Sequence, residues 1–323
     1  MDFKGLKVAI VPCSALGDVT IYLRLAWIFT QAGAQVNFFS GALFPAREYF
    51  EWLQVEADRE LCLTKLSSEN DLVISYVNWL TRTAEHVPGL LAHDNIAYVT
   101  AKKLPRALAL DGRGVSIHGQ HFAGASRAFC LESRAGWSMV QWVDSYARDV
   151  FGLTCDQPIS LRLPGGAVGS ERRIAIFPTT PHAKKNYSTR GFSLLARQLS
   201  RQGWFVEFVC MPHERELIAA RYPGSAVHSF DDVKQLMNYL ATTSVVISND
   251  SGGGHLGSLM GLRTFTITRK YQNFVWRPGF NECNQVLAPL FSFKFFGKYV
   301  WRPFVPVWRI ASILSRSSTS TNS

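Results

Sequence analysis

Val245-Val-Ile-Ser-Asn-Asp-Ser-Gly-Gly-Gly-His255-Leu-Gly-Ser-Leu-Met-Gly-Leu-Arg-Thr-Phe-Thr-Ile-Thr-Arg269 sets a β-branched run, a polar glycine-rich turn, a brief helical stretch and a second β-branched run in succession. That order predicts strand, loop, helix, strand. Val245 to Ser248 suit a buried parallel strand, and Gly252, Gly253 and Gly254 let the backbone approach a ligand closely. Asp250 or Ser251 is suited to cap the helix that opens near His255, and the exposed amides of such a helix start attract phosphate.

The string from Gly252 to Gly257 also satisfies the dinucleotide pattern G-x-G-x-x-G. That fingerprint needs an acidic residue about 20 positions on, at the end of the next strand, to hold ribose hydroxyls. Here the next acidic residue after Asp250 is Glu282, beyond the predicted strand Thr264 to Thr268, and the loop lies late in the chain. A nicotinamide or flavin reading is therefore set aside, and no cofactor is expected. The plain alternative is a tight turn around a satisfied histidine.

Working outward, Lys7 to Cys13 is a β-rich run, Ser14 to Asp18 a turn, and Val19 to Ala32 a helical stretch closed by Gly33, after which Val36 to Phe39 resumes a strand. This βαβ opening commits the first half to a parallel, doubly wound sheet. Leu72 to Tyr76, Ile96 to Val99 and Ala128 to Leu131 are further strand candidates, with a helix around Met139 to Phe151. The glycine- and proline-bearing stretch 163–170 reads as a linker. A second βαβ series follows: strand Arg173 to Pro178, helix Thr189 to Gln202, strand Phe205 to Cys210, helix Val233 to Ala241, then the opening stretch. The expected architecture is α/β, with two Rossmann-like domains facing a cleft over residues 1–164 and 165–290 and a basic, aromatic tail over 291–323.

The 323 residues, 47% of them hydrophobic, suffice for a sizeable core and favour two domains. A net charge of +10 points to an anionic partner. Nucleic acid is not expected, because no basic run, zinc finger or RNA-recognition signature occurs. Six widely spaced cysteines without a C-x-x-C pair suit reduced, cytosolic thiols. Lys4, Lys7 and Asp18, with Arg24 beyond, argue against a signal peptide, and no apolar run reaches the roughly 18 to 20 residues of a membrane span. No nucleophile elbow or P-loop occurs, and Asp231-Asp232 before a helix reads as capping, so no metal is expected.

Asn249-Asp-Ser-Gly-Gly-Gly-His255-Leu resembles the N-D-[ST]-G-x-x-H-[LI] signature of the bacterial heptosyltransferase-like glycosyltransferases, glycosyltransferase family nine. Ser14-Ala-Leu-Gly-Asp18-Val19 is similar to that family's S-x-L-G-D-[VIL] turn, where the family has its catalytic base. A carboxylate on such a turn reaches the carboxyl edge of the sheet and can take a proton from a hydroxyl; the plain reading is an N-cap. The stretch Thr179-Thr180 to Lys184-Lys185-Asn-Tyr187-Ser188 resembles the family's small-residue turn and K-x-W-[PS], with Tyr187 for tryptophan and Lys185 at the family lysine. An ammonium beside hydroxyls suits a diphosphate leaving group, with Lys184 able to exchange roles; a surface lysine is the alternative. Met211-Pro-His-Glu214 stands at the family's G-P-x-E, which implies a ribose contact for Glu214, against a helix-opening carboxylate favoured by the macrodipole. His255 is expected to donate to phosphate or to stabilise its loop.

The resemblance implies a GT-B-type glycosyltransferase that moves a sugar, heptose being the family's commonest, from a nucleotide diphosphate to a lipopolysaccharide-core or related glycolipid hydroxyl. It would be inverting and metal-independent, with Asp18 and Lys185 catalytic and Thr179, Thr180, Lys184, Glu214, Asp250, Ser251, Gly252, Gly253, Gly254 and His255 holding the donor. The alternatives are another nucleotide sugar or a catalytically silent nucleotide-sugar-binding protein. The tail interleaves aromatic rings with Lys294, Lys298, Arg302, Arg309 and Arg316 and lacks acidic residues. Such a segment is suited to an anionic leaflet at the cytoplasmic face; the alternative packs its rings against the first domain.

Overall fold

The computed structural model describes residues 2–82, 87–132, 134, 136–163, 172–269 and 274–319. The predicted linker, from residue 164 onward, lies outside them. The chain divides into two compact units, Met1–Arg162 and Leu163–Ser323.

In the first unit the strands are β1 (Lys7–Val11), β2 (Gln35–Phe39), β3 (Gln54–Glu56), β4 (Leu72–Tyr76) and β5 (Ile96–Val99), with a small hairpin of β6 (Val115–Ile117) and β7 (Gln120–Phe122). The helices are α1 (Leu16–Gln31), α2 (Leu63–Glu69), α3 (Trp79–Arg82), α4 (Val87–Ala92) and α5 (Met139–Phe151). β1 to β5 form a parallel sheet in the order β3-β2-β1-β4-β5, which reverses direction between β1 and β4. The predicted strand at Ala128 to Leu131 is reduced to one isolated bridge between Thr100 and Ala128.

α1 is buried along almost its whole length, so the sheet-facing stripe expected of a surface helix is absent. Its Arg24 is buried too, donating through Nε to Asp144 of α5 at 2.7 Å and through its other nitrogens to the carbonyls of Cys155 and Gln157. Desolvation raises the Asp144 carboxyl above its ordinary value although Arg24 pulls it down. The arginine fastens the extended chain after α5 onto the sheet's helical layer, assisted by Trp27 Nε1 to the Gln157 carbonyl at 3.1 Å and Trp52 Nε1 to the Ser160 carbonyl at 2.8 Å.

The second unit contains β8 (Arg173–Phe177), β9 (Phe205–Cys210), β10 (Val227–Ser229), β11 (Val245–Asn249), β12 (Arg263–Ile267) and β13 (Asn284–Leu287), then the hairpin β14 (Phe293–Phe295) and β15 (Lys298–Val300). Its helices are α6 (Thr189–Arg201), α7 (Arg215–Arg221), α8 (Val233–Ala241), α9 (Gly252–Leu259) and α10 (Trp308–Thr319). The large sheet is parallel in the order β10-β9-β8-β11-β12-β13, reversing between β8 and β11. α6 and α8 bury the apolar stripe their sequence periodicity predicts, and Ser188 and Asp232 cap them.

Part of the segment 301–314 belongs to this unit's core. Trp301, Val305, Ile310, Ala311 and Leu314 join Tyr187, Phe192, Leu195 and Ile267 in one buried cluster. The tail's aliphatic residues and Trp301 are thus explained by packing within the second unit, whereas Phe291, Phe293, Phe295, Phe296 and Trp308 stay exposed. Trp301→Ala is expected to cost about 3–5 kcal/mol and Leu314→Ala about 2–5 kcal/mol in urea unfolding of the whole chain. A loss below about 1 kcal/mol for both would place the tail outside the core.

Candidate functional site

Ligands of open α/β sheets bind beyond the carboxyl ends of the strands where the order reverses. In the second unit that place lies at the ends of β8 and β11, and the sequence puts its polar residues there. β11 ends in Asn249, whose fully buried side chain is satisfied from both sides of one loop: Nδ2 donates to the Pro178 carbonyl at 2.7 Å, and Oδ1 accepts from the Tyr187 amide at 2.9 Å. The loop between is braced internally, because Asn186 Oδ1 accepts from the Thr180 amide at 2.9 Å and the Thr180 hydroxyl at 2.7 Å.

This bracing presents Lys185, whose Nζ lies 2.8 Å from Asp250 Oδ2. The lysine is half-exposed at 42% and the carboxylate mostly covered at 17%, so the ammonium remains accessible while anchored. Its neighbour Lys184 is exposed, so Lys185 is the lysine that reaches the start of α9. Glu214, in the short helical turn Pro212–Glu214 after β9, is tied to the same edge: its Oε2 accepts from the Thr179 hydroxyl at 2.9 Å and the Met211 amide at 3.1 Å.

α9 opens at Gly252 with Ser251 as N-cap, but no side chain caps it. Its first-turn amides therefore lack side-chain partners, and the buried Ser251 hydroxyl is unpartnered among the described residues. The glycines have a second reason. A Cβ on Gly253 would come within 2.5 Å of the Phe177 ring, one on Gly254 within 2.4 Å of Ser248 Oγ, and one on Gly257 within 2.8 Å of Val246. Their lack of side chains lets the helix settle onto β8 and β11, which sets where its N-terminus emerges.

His255 is 3% exposed. Burial pulls its imidazole down to about 4, against smaller upward influences from Asp250 and a hydrogen bond to the Trp276 backbone. The ring is neutral at pH 7. Among the described residues Nδ1 has no partner, so the hydrogen bond to Trp276 belongs to Nε2, and Nδ1 is left as a buried acceptor. The ring thereby holds the Trp276 segment against α9 and brings no positive charge.

In the first unit the reversal lies between β1 and β4, and Asp18 stands there. The N-cap of α1 is Ala15, without a side-chain cap, so Asp18 is the helix's third residue and the N-cap alternative does not apply. It is half-buried. Its charge helps raise the Tyr22, Tyr76 and Cys13 side chains above their ordinary values, burial being the larger cause for each. Tyr22, one helical turn beyond Asp18, is buried, and its hydroxyl has no partner among the described residues. Trp79 Nε1, donating to the Pro12 carbonyl at 2.9 Å, ties the segments after β4 and β1 together.

Thr179, Thr180, Lys185, Glu214, Asp250, Ser251, Gly252, Gly253, Gly254 and His255 are thus gathered at one edge of the second sheet, with Lys184 beside them; Asp18 belongs to the first unit. Sequence reasoning missed Asn186, Tyr22 and Arg302. Arg302 donates through Nε to the Asn186 carbonyl at 2.6 Å and through a terminal nitrogen to the Ala183 carbonyl at 3.2 Å, clasping the lysine loop from behind. Only Tyr22 had a signal, its i+4 spacing from Asp18.

The imidazole yields a test in acid. Between about pH 6.5 and 4 the unfolded chain binds a proton that the folded His255 does not, so stability from this group is present above 6.5 and lost as pH falls toward 4. Urea midpoints should fall across that window, this group giving up to about 1.4 kcal/mol per pH unit, and His255→Asn should flatten the slope. An unchanged slope would mean a solvated imidazole.

Residues 143–290 match the model of glycosyltransferase family 9 (heptosyltransferase). Comparison with curated protein sequences finds no match. Among solved structures, the E. coli ADP-heptose lipopolysaccharide heptosyltransferase II is similar at a TM-score of 0.68 and 15% identity, covering 98% of this chain and 100% of that one. A family 9 glycosyl transferase from Veillonella parvula gives 0.68 at 14% identity, covering 100% and 99%. E. coli heptosyltransferase WaaC with ADP gives 0.61 at 14% identity, covering 87% and 92%. These neighbours share the α/β, GT-B-type fold. The loop and helix-start residues from Phe177 to His255 lie inside the segment that matches the glycosyltransferase family 9 model, and over that segment the chain is similar to the heptosyltransferase-like glycosyltransferases.

Proposed function

We propose that the protein transfers a sugar from a nucleotide diphosphate to a hydroxyl of a lipopolysaccharide-core or related glycolipid acceptor, with inversion and without a metal ion, at the cytoplasmic face of a membrane. The observation that carries this is the anchored, accessible Lys185 ammonium, 2.8 Å from Asp250, set at the uncapped start of α9 at the reversal of the second sheet. A lysine and a set of free amides are what a diphosphate leaving group requires as its negative charge grows. Thr179, Thr180 and Lys184 lie on the same loop system, and Glu214, with Oε2 engaged, retains Oε1 for a ribose hydroxyl. Two of the solved neighbours hold ADP or ADP-2-deoxy-2-fluoro heptose, which makes ADP-heptose the first donor to try.

In this reading the acceptor oxygen attacks the anomeric carbon as the bond to the diphosphate breaks, and the acceptor proton passes to Asp18. The carboxylate stands at the reversal of the first sheet, on the first turn of α1. Attack opposite the leaving group inverts the anomeric centre.

Asp18→Asn is expected to lower turnover by roughly 100- to 10,000-fold with donor affinity nearly unchanged. Turnover within a few-fold of the parent chain would remove Asp18 from the chemistry, and nucleotide binding without any turnover in the parent chain would favour a silent binding protein. Thermal shift with ADP-, UDP-, GDP- and dTDP-linked sugars identifies the base, because a ligand bound only to the folded state stabilises it by mass action. Lys185→Ala should weaken nucleoside diphosphates far more than nucleosides; equal losses would deny the phosphate contact. Activity should survive a chelator, and a strict divalent-ion requirement would defeat the metal-free reading.

A further inference from the structure

Between residues 283 and 319 the core of the second unit takes Leu287, Trp301, Val305, Ile310 and Leu314, whereas Leu290, Phe291, Trp308 and the phenylalanines of the hairpin of β14 and β15 stay exposed. Its strands pair with Phe293 opposite Val300, Lys294 opposite Tyr299 and Phe295 opposite Lys298. Tyr299 packs against the core, while Phe295 is 59% and Phe296 90% exposed. The two rings at the tip stand edge to face, 4.6 Å between centroids. Behind them Phe291 and Phe293 pack on Phe304, at 3.8 and 5.9 Å, giving the tip a firm base.

The turn itself is unusual. Phe296 and Gly297 form a two-residue connection with φ of 44° and 72°. Such turns favour Asn-Gly, because left-handed backbone is costly for a residue with a bulky side chain. Here the costly position carries a phenylalanine with almost all of its ring in solvent. Apart from its edge contact with Phe295 the exposed ring gains little from folding, which points to a contact outside the chain.

The charge around the tip limits what that is. Lys294 and Lys298 flank the rings, and no acidic residue follows Glu282. A second copy would bring the same lysines and the same net charge of +10, which opposes tip-to-tip association. Rings that enter the headgroup and acyl boundary, with ammonium groups left at the level of lipid phosphates, match an anionic bilayer. No helix among the described residues is long and apolar enough to cross a membrane, so the contact would be peripheral.

We propose that the β14–β15 tip, Phe295 and Phe296 between Lys294 and Lys298, is a membrane-docking element that inserts into anionic lipid. The inference rests on the reading that the acceptor is a glycolipid met at a membrane, and it assigns that meeting to a particular surface of the donor-side unit.

Removing the whole tail is no test, because Trp301, Ile310 and Leu314 would leave the core with it. Phe296→Asn with Phe295→Ser is suited, since asparagine favours the turn and keeps the hairpin folded. The full chain should sediment with phosphatidylethanolamine–phosphatidylglycerol vesicles, less as salt rises and less with neutral phosphatidylcholine vesicles. The double variant should bind about tenfold more weakly or worse, with its melting temperature retained, and Lys294→Glu with Lys298→Glu should abolish the salt dependence. Equal sedimentation of parent and double variant, no sedimentation of the parent, or a parent dimer that the double variant converts to a monomer would each overturn the proposal. Thermal shift with ADP-linked sugar on the same proteins separates the two readings. Donor binding without vesicle binding removes the docking element alone, and vesicle binding without any nucleotide response removes the donor reading.

Discussion

The lysine loop and its contact with the start of α9 depend on one buried amide. Asn249 is fully enclosed at the end of β11, and its two polar atoms hold the Pro178 carbonyl and the Tyr187 amide, the two ends of the loop that carries the lysines. A shorter or apolar side chain would leave both backbone groups buried without partners, each at a cost of about 1–3 kcal/mol. The consequence would be wider than stability: Lys185 reaches Asp250 only because its loop is pinned to the strand from which Asp250 follows. The strand, the loop and the ion pair thus form one rigid arrangement, with the adjoining start of α9 fixed by the glycines that let it sit on the sheet.

Much of this was legible in the chain because parallel strands buried on both faces are nearly continuous apolar runs. Lys7 to Cys13, Leu72 to Tyr76, Phe205 to Cys210 and Val245 to Ser248 read directly as strands, which the structure has at Lys7–Val11, Leu72–Tyr76, Phe205–Cys210 and Val245–Asn249, and Met139–Phe151 and Val233–Ala241 read as helices. Short edge strands such as Gln54–Glu56 and Val227–Ser229 were not found, since three residues carry too little pattern to stand out from a loop. Ala128–Leu131 misled for the opposite reason: an apolar run that packs as irregular chain and makes one bridge. At the site, the residues with chemistry were visible and the residues that hold them were not. Asn186 and Arg302 act through backbone carbonyls and amides, which have no sequence signature.

The departures from the family pattern have local explanations. Tyr187 is buried, with its ring edge-on to Phe192 at 5.2 Å, and a Cβ on Gly191 would come within 2.5 Å of it, so the loop keeps an aromatic anchor of smaller size. Met211 contributes its amide to Glu214 while its side chain is exposed, so the glycine it replaces is not needed for that contact. Thr179 and Thr180 use their hydroxyls to brace neighbouring loops, a service a glycine-led turn does not offer. Each change is read at the periphery of the Lys185–Asp250 pair.

Arg302 gives the unit an unexpected boundary. The family match ends at residue 290, yet an arginine twelve positions later grips the carbonyls of Ala183 and Asn186 at the back of the lysine loop. The matched segment is therefore not a portable module by itself. A hybrid enzyme spliced at residue 290, with the remainder taken from a relative, would keep every motif and still lose the clasp unless the incoming segment supplied its own cation. For hybrids made in the laboratory, a seam upstream of β8 keeps the clasp and the tail's core residues through Leu314 together.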